Sequence, residues 1–240
     1  GCGIAAGISA SFNTPFAAVI FVMEVVLREY KIHIFVPVML AAACGSVLTR
    51  IVFGEVNELS FLSFNAFSQW MYFYLVLLGI LLGMLAVLFN SQLMRVMTWF
   101  RPVSMVWRLI LAALITGTIG MFIPEALGAN FIDVEHLFDS SPGALLLVST
   151  LVFKVILAVF AIGLGIPGGI IGPVMVIGML AGAVLLLPLS YFIDVPEFTN
   201  SFALLGIAGM LTAVLHAPLA ALSAVMELSY SPQIILPAML

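Results

Sequence analysis

The groups best suited to bind a small ion are main-chain amides in a stretch rich in glycine and proline, residues 163–173. Its sequence, GLGIPGGIIGP, includes five glycines and two prolines. These residues cannot continue a helix, because glycine is entropically costly there and proline lacks an N–H. The stretch lies in the longest run without a charged side chain, between Lys154 and Asp194. A helix that restarts near Ile170 would point free N–H groups and its positive dipole end at the break, which favours an anion.

Two acids, Glu24 and Glu227, are the only ones placed far inside apolar runs. An ionised carboxylate at the centre of a bilayer costs about 2.5–3.5 kcal/mol on insertion scales, so each acid needs a partner or water. Two interpretations stay open: a path for protons or ions, or hydrogen bonds to buried backbone groups. Their matching positions favour the structural interpretation. No paired acids, metal cluster or nucleophile–base pair accompanies them, so an intramembrane enzyme is only a remote alternative and we expect no catalytic residues.

Two further polar residues carry weaker signals. His216 lies just before Ala217-Pro218, where a helix cap or a packing role is more usual than a ligand role. Lys154 is a lone base beside the uncharged run, and it could either attract anions or extend to the membrane interface.

The composition is that of an integral membrane protein. Hydrophobic residues make up 64% of the chain and charged residues only 8%, whereas soluble domains carry about 25% charged residues. The apolar runs are too long for a β-barrel, so the predicted fold is all-α and multi-pass, in an inner or plasma membrane. The net charge of −4 excludes a nucleic-acid partner. Cys2 and Cys44 lack metal-ligand spacing, so neither a metal nor another cofactor is expected.

The apolar runs predict the helices and their flanks. Asn13-Thr14-Pro15 is predicted to cap a helix that ends near Arg28. The glycine pairs 79/83 and 178/182 are predicted to pack helices closely. Further spans are predicted at 32–53, 70–94, 109–123, 144–162, 174–187 and 201–240, with Trp70 and Tyr72 as interfacial anchors. Arginines at 28, 95, 101 and 108 indicate cytoplasmic flanks and the acidic loops the opposite side, although Arg50 does not fit.

An internal repeat relates the two ends of the chain. At a shift of 203 positions, ten of the 23 positions from Gly3 to Val25 are identical, including Pro15 with Pro218 and Glu24 with Glu227. Basic residues follow the first copy only, which predicts opposite orientations in the membrane. We therefore expect one transmembrane transport domain over residues 1–240, with residues 1–53 ending a first inverted repeat and 68–240 forming the second. Broken helices in inverted repeats are typical of transporters and channels.

These motifs resemble the CLC family of chloride channels and chloride/proton exchangers. Gly169-Ile170-Ile171-Gly172-Pro173 resembles that family's anion-binding motif G-x-F-x-P. Residues 12–24 resemble its F-N-x-P…E helix, and residues 215–237 resemble its A-P-L…E…I-L-P region. The resemblance implies broken, tilted helices, and chloride bound as substrate by the backbone amides of Ile170 and Ile171. The family's serine and gating-glutamate motifs would precede Gly1 and its tyrosine would follow Leu240, so we expect the chain to be part of a longer protein.

One departure from the family bears on mechanism. Exchangers of the family usually carry a second glutamate, an inner proton relay, directly after the position of Glu24. Here that residue is Val25, which cannot carry protons. The resemblance therefore favours a voltage-gated chloride channel, with chloride/proton antiport on the same scaffold as the alternative. It also implies a homodimer in the lipid bilayer, joined through helices at 15–28, 32–50 and 217–240.

Overall fold

A computed structural model describes residues 1–54, 67, 69, 71–127, 143–191 and 195–239, and these residues form helices joined by short turns. The helices are α1 (Cys2–Phe12), α2 (Pro15–Phe21), α3 (Ile32–Phe53), α4 (Met71–Phe100), α5 (Met105–Phe122), α6 (Ala144–Gly163), α7 (Ile171–Leu186), α8 (Val195–Leu215), α9 (Pro218–Ser229) and α10 (Ile235–Ala238). A π-helical turn, Val22–Leu27, continues α2, and 3₁₀ turns lie at Pro124–Ala126, Leu187–Tyr191 and Pro232–Ile234. No strand occurs within the described ranges.

Six of these helices, α3 to α8, are long and apolar enough to cross a membrane. The prediction of a multi-pass, all-α membrane protein with an interrupted helix is confirmed. Helix α4 continues beyond its predicted end at Met94 as far as Phe100, because arginine is a good helix former and does not stop it. The chain leaves the helix only near Pro102, where the backbone N–H is missing. Trp70 and most of both acidic loops lie outside the described residues.

Helices α7 and α8 pack together at the centre of the fold through glycine. A methyl group on Gly178 or Gly182 would overlap the backbone of Gly206 or Phe202 on α8. The predicted close contact of the 178/182 pair is therefore confirmed. For Gly79 and Gly83 the described residues provide no such contact, because a methyl group on either would have no described neighbour within 4 Å.

The buried apolar residues form two clusters. The larger one includes Phe89 of α4, Ile177 of α7 and Phe202 of α8, all fully buried. The smaller one belongs to α1, α2 with its π-turn, and α3, and includes Met23 and Val38. Helices α2 and α9 connect the two regions, lying side by side with opposite directions.

Candidate functional site

Helix α6 closes with a tight C-terminal turn at the start of the glycine-rich stretch. Gly165 has φ +89°, a left-handed conformation that strongly favours glycine. The Gly165 N–H donates to the Ile162 carbonyl, and the Ile166 N–H to the Ala161 carbonyl, each at 3.0 Å. These two bonds form a Schellman motif, which satisfies carbonyls at the end of the helix. The sequence 164–170 is therefore a true interruption rather than a bend.

Helix α7 then begins at Ile171 with an open N-terminus. Ile170 precedes it with φ −82° and ψ −24°, and its carbonyl accepts the Val174 N–H at 3.1 Å. No side chain of the described residues caps the first turn. Gly168 and Gly169, just before the helix, are exposed. The amides of Ile170 and Ile171, predicted to bind the anion, thus lie at a helix start that no side-chain acceptor among those residues occupies.

The start of α7 separates two cavities. Ile171 contributes to an apolar cavity of about 40 Å³, together with Phe12, Thr14 and Phe21. Gly172 and Pro173 line a second cavity of about 240 Å³ on the α5 and α6 side. Three residues of the predicted anion stretch, Ile171, Gly172 and Pro173, therefore border these two cavities.

Glu24 and Glu227 lie at the starts of two other helices. The Glu227 carboxylate accepts the N–H groups of Phe16 at 3.0 Å and Ala17 at 2.7 Å, in the first turn of α2. The Glu24 carboxylate accepts those of Leu219 at 3.3 Å and Ala220 at 2.8 Å, in the first turn of α9. Each acid thus caps the helix that carries the other acid. This geometry supports the structural interpretation of the two acids, although it does not test a proton path.

These caps give an internal comparison for the α7 start. Helices α2, α7 and α9 each carry proline in the first turn, at Pro15, Pro173 and Pro218. At Pro15 and Pro218 a carboxylate of the protein satisfies the free amides. The start of α7 has the same positive dipole end without such a carboxylate among the described residues. Of these three helix starts, it is the one whose free amides meet no carboxylate within the described part of the chain.

Lys154 is buried close to this site. Its side chain is 8% exposed, its Nζ donates to the Ala126 carbonyl at 3.1 Å, and it lines the 240 Å³ cavity with Gly172 and Pro173. Of the two interpretations, extension to an interface does not fit this burial. Attraction of anions by Lys154 therefore stays a prediction for this cavity.

The predicted start of α2 is confirmed at Pro15, which is its first residue, but the predicted side-chain cap is absent among the described residues. Asn13 has a left-handed backbone, with φ +53°, and its Oδ1 accepts from Ser46 Oγ at 2.8 Å and Arg50 Nε at 3.0 Å. Asn13 therefore connects α3 to the turn between α1 and α2. It also gives a hydrogen-bond acceptor to Arg50, the arginine that does not fit the predicted pattern of cytoplasmic flanks. His216, the repeat equivalent of Asn13, is also left-handed at φ +56° and is exposed.

Sequence reasoning did not find the partners of the two glutamates. The signal was present, because each copy places an acid nine positions after the proline that starts its helix. Two such helices packed with opposite directions bring each acid to the other's first turn. Within the described residues, His, Cys, Asp and Glu do not gather in any group of three or more that could hold a metal ion.

The family model described as voltage gated chloride channel matches residues 1–240, which is the whole chain. The chain belongs to the CLC family. The H(+)/Cl(-) exchange transporters ClcA of Salmonella paratyphi B and Salmonella newport are each 29% identical to it over 258 residues. The match covers 98% of this chain but 52% of each relative, so this CLC chain spans about half the length of the curated relatives it matches.

Solved CLC structures have the same fold. A slow cyanobacterial Cl-/H+ antiporter superposes with a TM-score of 0.81 at 23% identity, over 99% of this chain and 57% of the other. A CLC-type fluoride/proton antiporter gives 0.82 at 23% identity, over 99% and 60%. A eukaryotic CLC transporter gives 0.76 at 21% identity, over 99% and 42%.

Proposed function

We propose that the protein to which this chain belongs transports chloride across a membrane in exchange for protons. The observation that carries the chloride part is the uncapped start of α7, whose amides at Ile170 and Ile171 face a break lined by exposed glycines. Main-chain amides at a helix start bind anions without a cationic side chain. Chloride is then the bound substrate.

The choice of exchange over passive conduction corrects our sequence-based preference. Val25 favoured a channel, because it replaces a relay acid. The curated relatives, however, are named H(+)/Cl(-) exchange transporters, and they match this chain along 98% of its length. Besides Val25, the channel is supported by the description of the family model, which names a voltage gated chloride channel. We therefore propose exchange, with protons carried by groups other than residue 25.

The test is a paired flux measurement on the full-length protein in lipid vesicles. A chloride gradient is imposed, and chloride efflux and internal pH are recorded together. We expect proton uptake in a fixed ratio to chloride efflux. Chloride efflux with no proton movement would instead establish the channel, and the absence of any chloride flux would contradict both functions.

We also propose a homodimer through α2, α3 and the region 217–240. Helix α3 supports this, because it exposes large apolar residues at both ends, including Ile32 at 84% and Phe53 at 75%. Exposed apolar side chains of this kind pack against lipid or another subunit. The proposal gives each subunit its own site, since Ile170 and Ile171 lie on a different helix from this surface.

A further inference from the structure

The guanidinium group of Arg108 lies against the turn that ends α6. A methyl group added to Gly165 would lie 3.6 Å from Nη1 of Arg108. Gly165 is the left-handed residue of that turn, five positions before Ile170, the first of the proposed anion-binding amides. The arginine therefore lies beside the interruption through which an anion would reach the free N–H groups of α7.

Arg108 has no partner among the described residues that would account for its position. Its Nε is buried and lacks a hydrogen-bond acceptor within that part of the chain. The ion pair between Lys31 and Glu29 does not involve Arg108, so it cannot compensate its charge. Arg108 is half-buried, and the burial of a cation is costly without a compensating negative charge.

The helix that carries Arg108 does not compensate it either. Arg108 lies in the first turn of α5, where its N–H donates to the Ser104 carbonyl at 3.2 Å. The first turn is the positive end of the helix dipole, so a cation there is unfavourable. Whatever stabilises the charge must come from outside α5.

The C-terminal end of α6 supplies part of that compensation. A helix C-terminus carries roughly half a negative charge, and Nη1 of Arg108 lies beside Gly165, two residues after the last residue of α6. Without a cation, this negative end would stand beside the interruption and repel an anion moving towards the start of α7. Arg108 removes that repulsion and leaves a net positive charge beside the break.

We propose that Arg108 is an electrostatic guide for the anion, which sets how readily chloride reaches the amides of Ile170 and Ile171. This inference rests on the proposed chloride transport. Arg108 acts through the local field rather than as one of the amide ligands. Its effect should therefore be strong at low ionic strength and weak when salt screens the charge.

A purely structural role makes a different prediction. If Arg108 only caps α6, its replacement lowers the stability of the turn and reduces transport equally at every salt concentration. An acidic residue elsewhere in the full-length protein that neutralised Arg108 would also remove the salt dependence. The ionic-strength profile separates these cases from the proposal.

The experiment measures chloride turnover of the full-length protein in vesicles at low and high ionic strength, with chloride concentration held constant. Screening acts over about 30 Å at 0.01 M salt and about 8 Å at 0.15 M. We expect Arg108→Gln to reduce turnover at least about threefold at the low value and less than about 1.5-fold at the high one, with Arg108→Lys close to wild type at both. Arg28→Gln is the matched control, since Arg28 is an exposed arginine at the end of the π-turn, and it should change neither value.

A second variant keeps the test valid if Arg108→Gln does not fold. Arg108→Cys, in a background with Cys2→Ser and Cys44→Ser, can be modified after folding with a cationic or a neutral methanethiosulfonate reagent. The cationic adduct should restore low-salt turnover and the neutral adduct should not. Equal effects of the two adducts, or equal losses at both ionic strengths, would overturn the inference while leaving chloride transport intact. A wild-type protein that moves no chloride would overturn the proposed function itself.

Discussion

Glu24 and Glu227 cap each other's helices, although they lie near opposite ends of the chain. Each carboxylate accepts two backbone N–H groups from the first turn of the opposite helix, at distances between 2.7 and 3.3 Å. Because the first residue of each helix is proline, these two N–H groups are the first that the helix offers. The pair therefore satisfies two helix starts that would otherwise be left with free donors in an apolar region.

Replacing either capping acid should destabilise the fold. Removing the partner of a buried donor costs about 1–3 kcal/mol, and Ala17 is buried, so Glu227→Ala should lower the thermal midpoint of the detergent-solubilised protein. Glu24→Ala should do the same, while Glu→Gln variants keep one oxygen and should lose less. Glu29→Gln is the control, because Glu29 forms a half-exposed ion pair with Lys31 at 2.7 Å and contributes little.

The same variants also address the proton path. If Glu24→Gln leaves stability unchanged but abolishes proton uptake in vesicles, the result supports a proton path through Glu24. It also contradicts a stabilising role for the cap. If stability falls and the remaining folded protein keeps its chloride-to-proton ratio, the acids are structural.

The sequence predicts local features of this structure better than it predicts contacts between residues far apart in the chain. The apolar runs predict α3 and α6 nearly to the residue, and the glycines and prolines predict the interruption before Ile171, because both depend on local backbone preferences. The capping partners were not predicted, because they join residues of different repeat copies. Asn13 was misassigned for a similar reason: its partners Ser46 and Arg50 lie in the second half of α3, on a separate helix far along the chain.

The amide site is best tested at Ile170. Its φ of −82° is close to the value that proline requires, and the preceding residue is glycine, so proline fits there with little strain. Ile170→Pro removes one amide donor and should lower chloride affinity, measured by calorimetry on the full-length protein, by about tenfold. Ile170→Val keeps the amide and should bind as wild type does. Unchanged affinity in the proline variant would contradict the proposed site.

Lys154 should contribute to the same affinity from the cavity wall. Lys154→Met keeps much of the side-chain volume but removes a positive charge from the space bordered by Gly172 and Pro173. Chloride affinity should fall several-fold in calorimetry at low salt. Thr150→Val is a suitable control on α6, because Thr150 is buried and its hydroxyl has no described partner. Equal affinities for Lys154→Met and wild type would remove Lys154 from the site.

The π-helical turn that contains Val25 marks a difference between the two repeat copies. Each repeat copy ends with a left-handed residue, Arg28 in the first copy and Tyr230 in the second. In the alignment that pairs Glu24 with Glu227, however, Arg28 pairs with Ser231 rather than with Tyr230. The first copy thus holds one extra residue after its acid, which the wider π-turn accommodates.

Val25→Glu would place an acid in that turn, where the family's exchangers usually carry one. We expect more protons moved per chloride in vesicles, because an ionisable group then replaces an apolar one. Val26→Glu is the matched control on the same turn, since Val26 is 40% exposed. An equal increase in both variants, or none in Val25→Glu, would contradict a specific role for position 25.

The proposed dimer can be tested at a native residue of α3. Cys44 is exposed on the same helix as the outward-facing Leu40 and Leu48, which are 59% and 62% exposed. In membranes, a short thiol cross-linker should join two subunits through Cys44 in a Cys2→Ser background, and Cys44→Ser should abolish the product. A cysteine introduced at Val87 of α4, which is 70% exposed, should not cross-link, because α4 is not part of the proposed interface. Cross-linking at Val87 with none at Cys44 would place the dimer contact on other helices than those proposed.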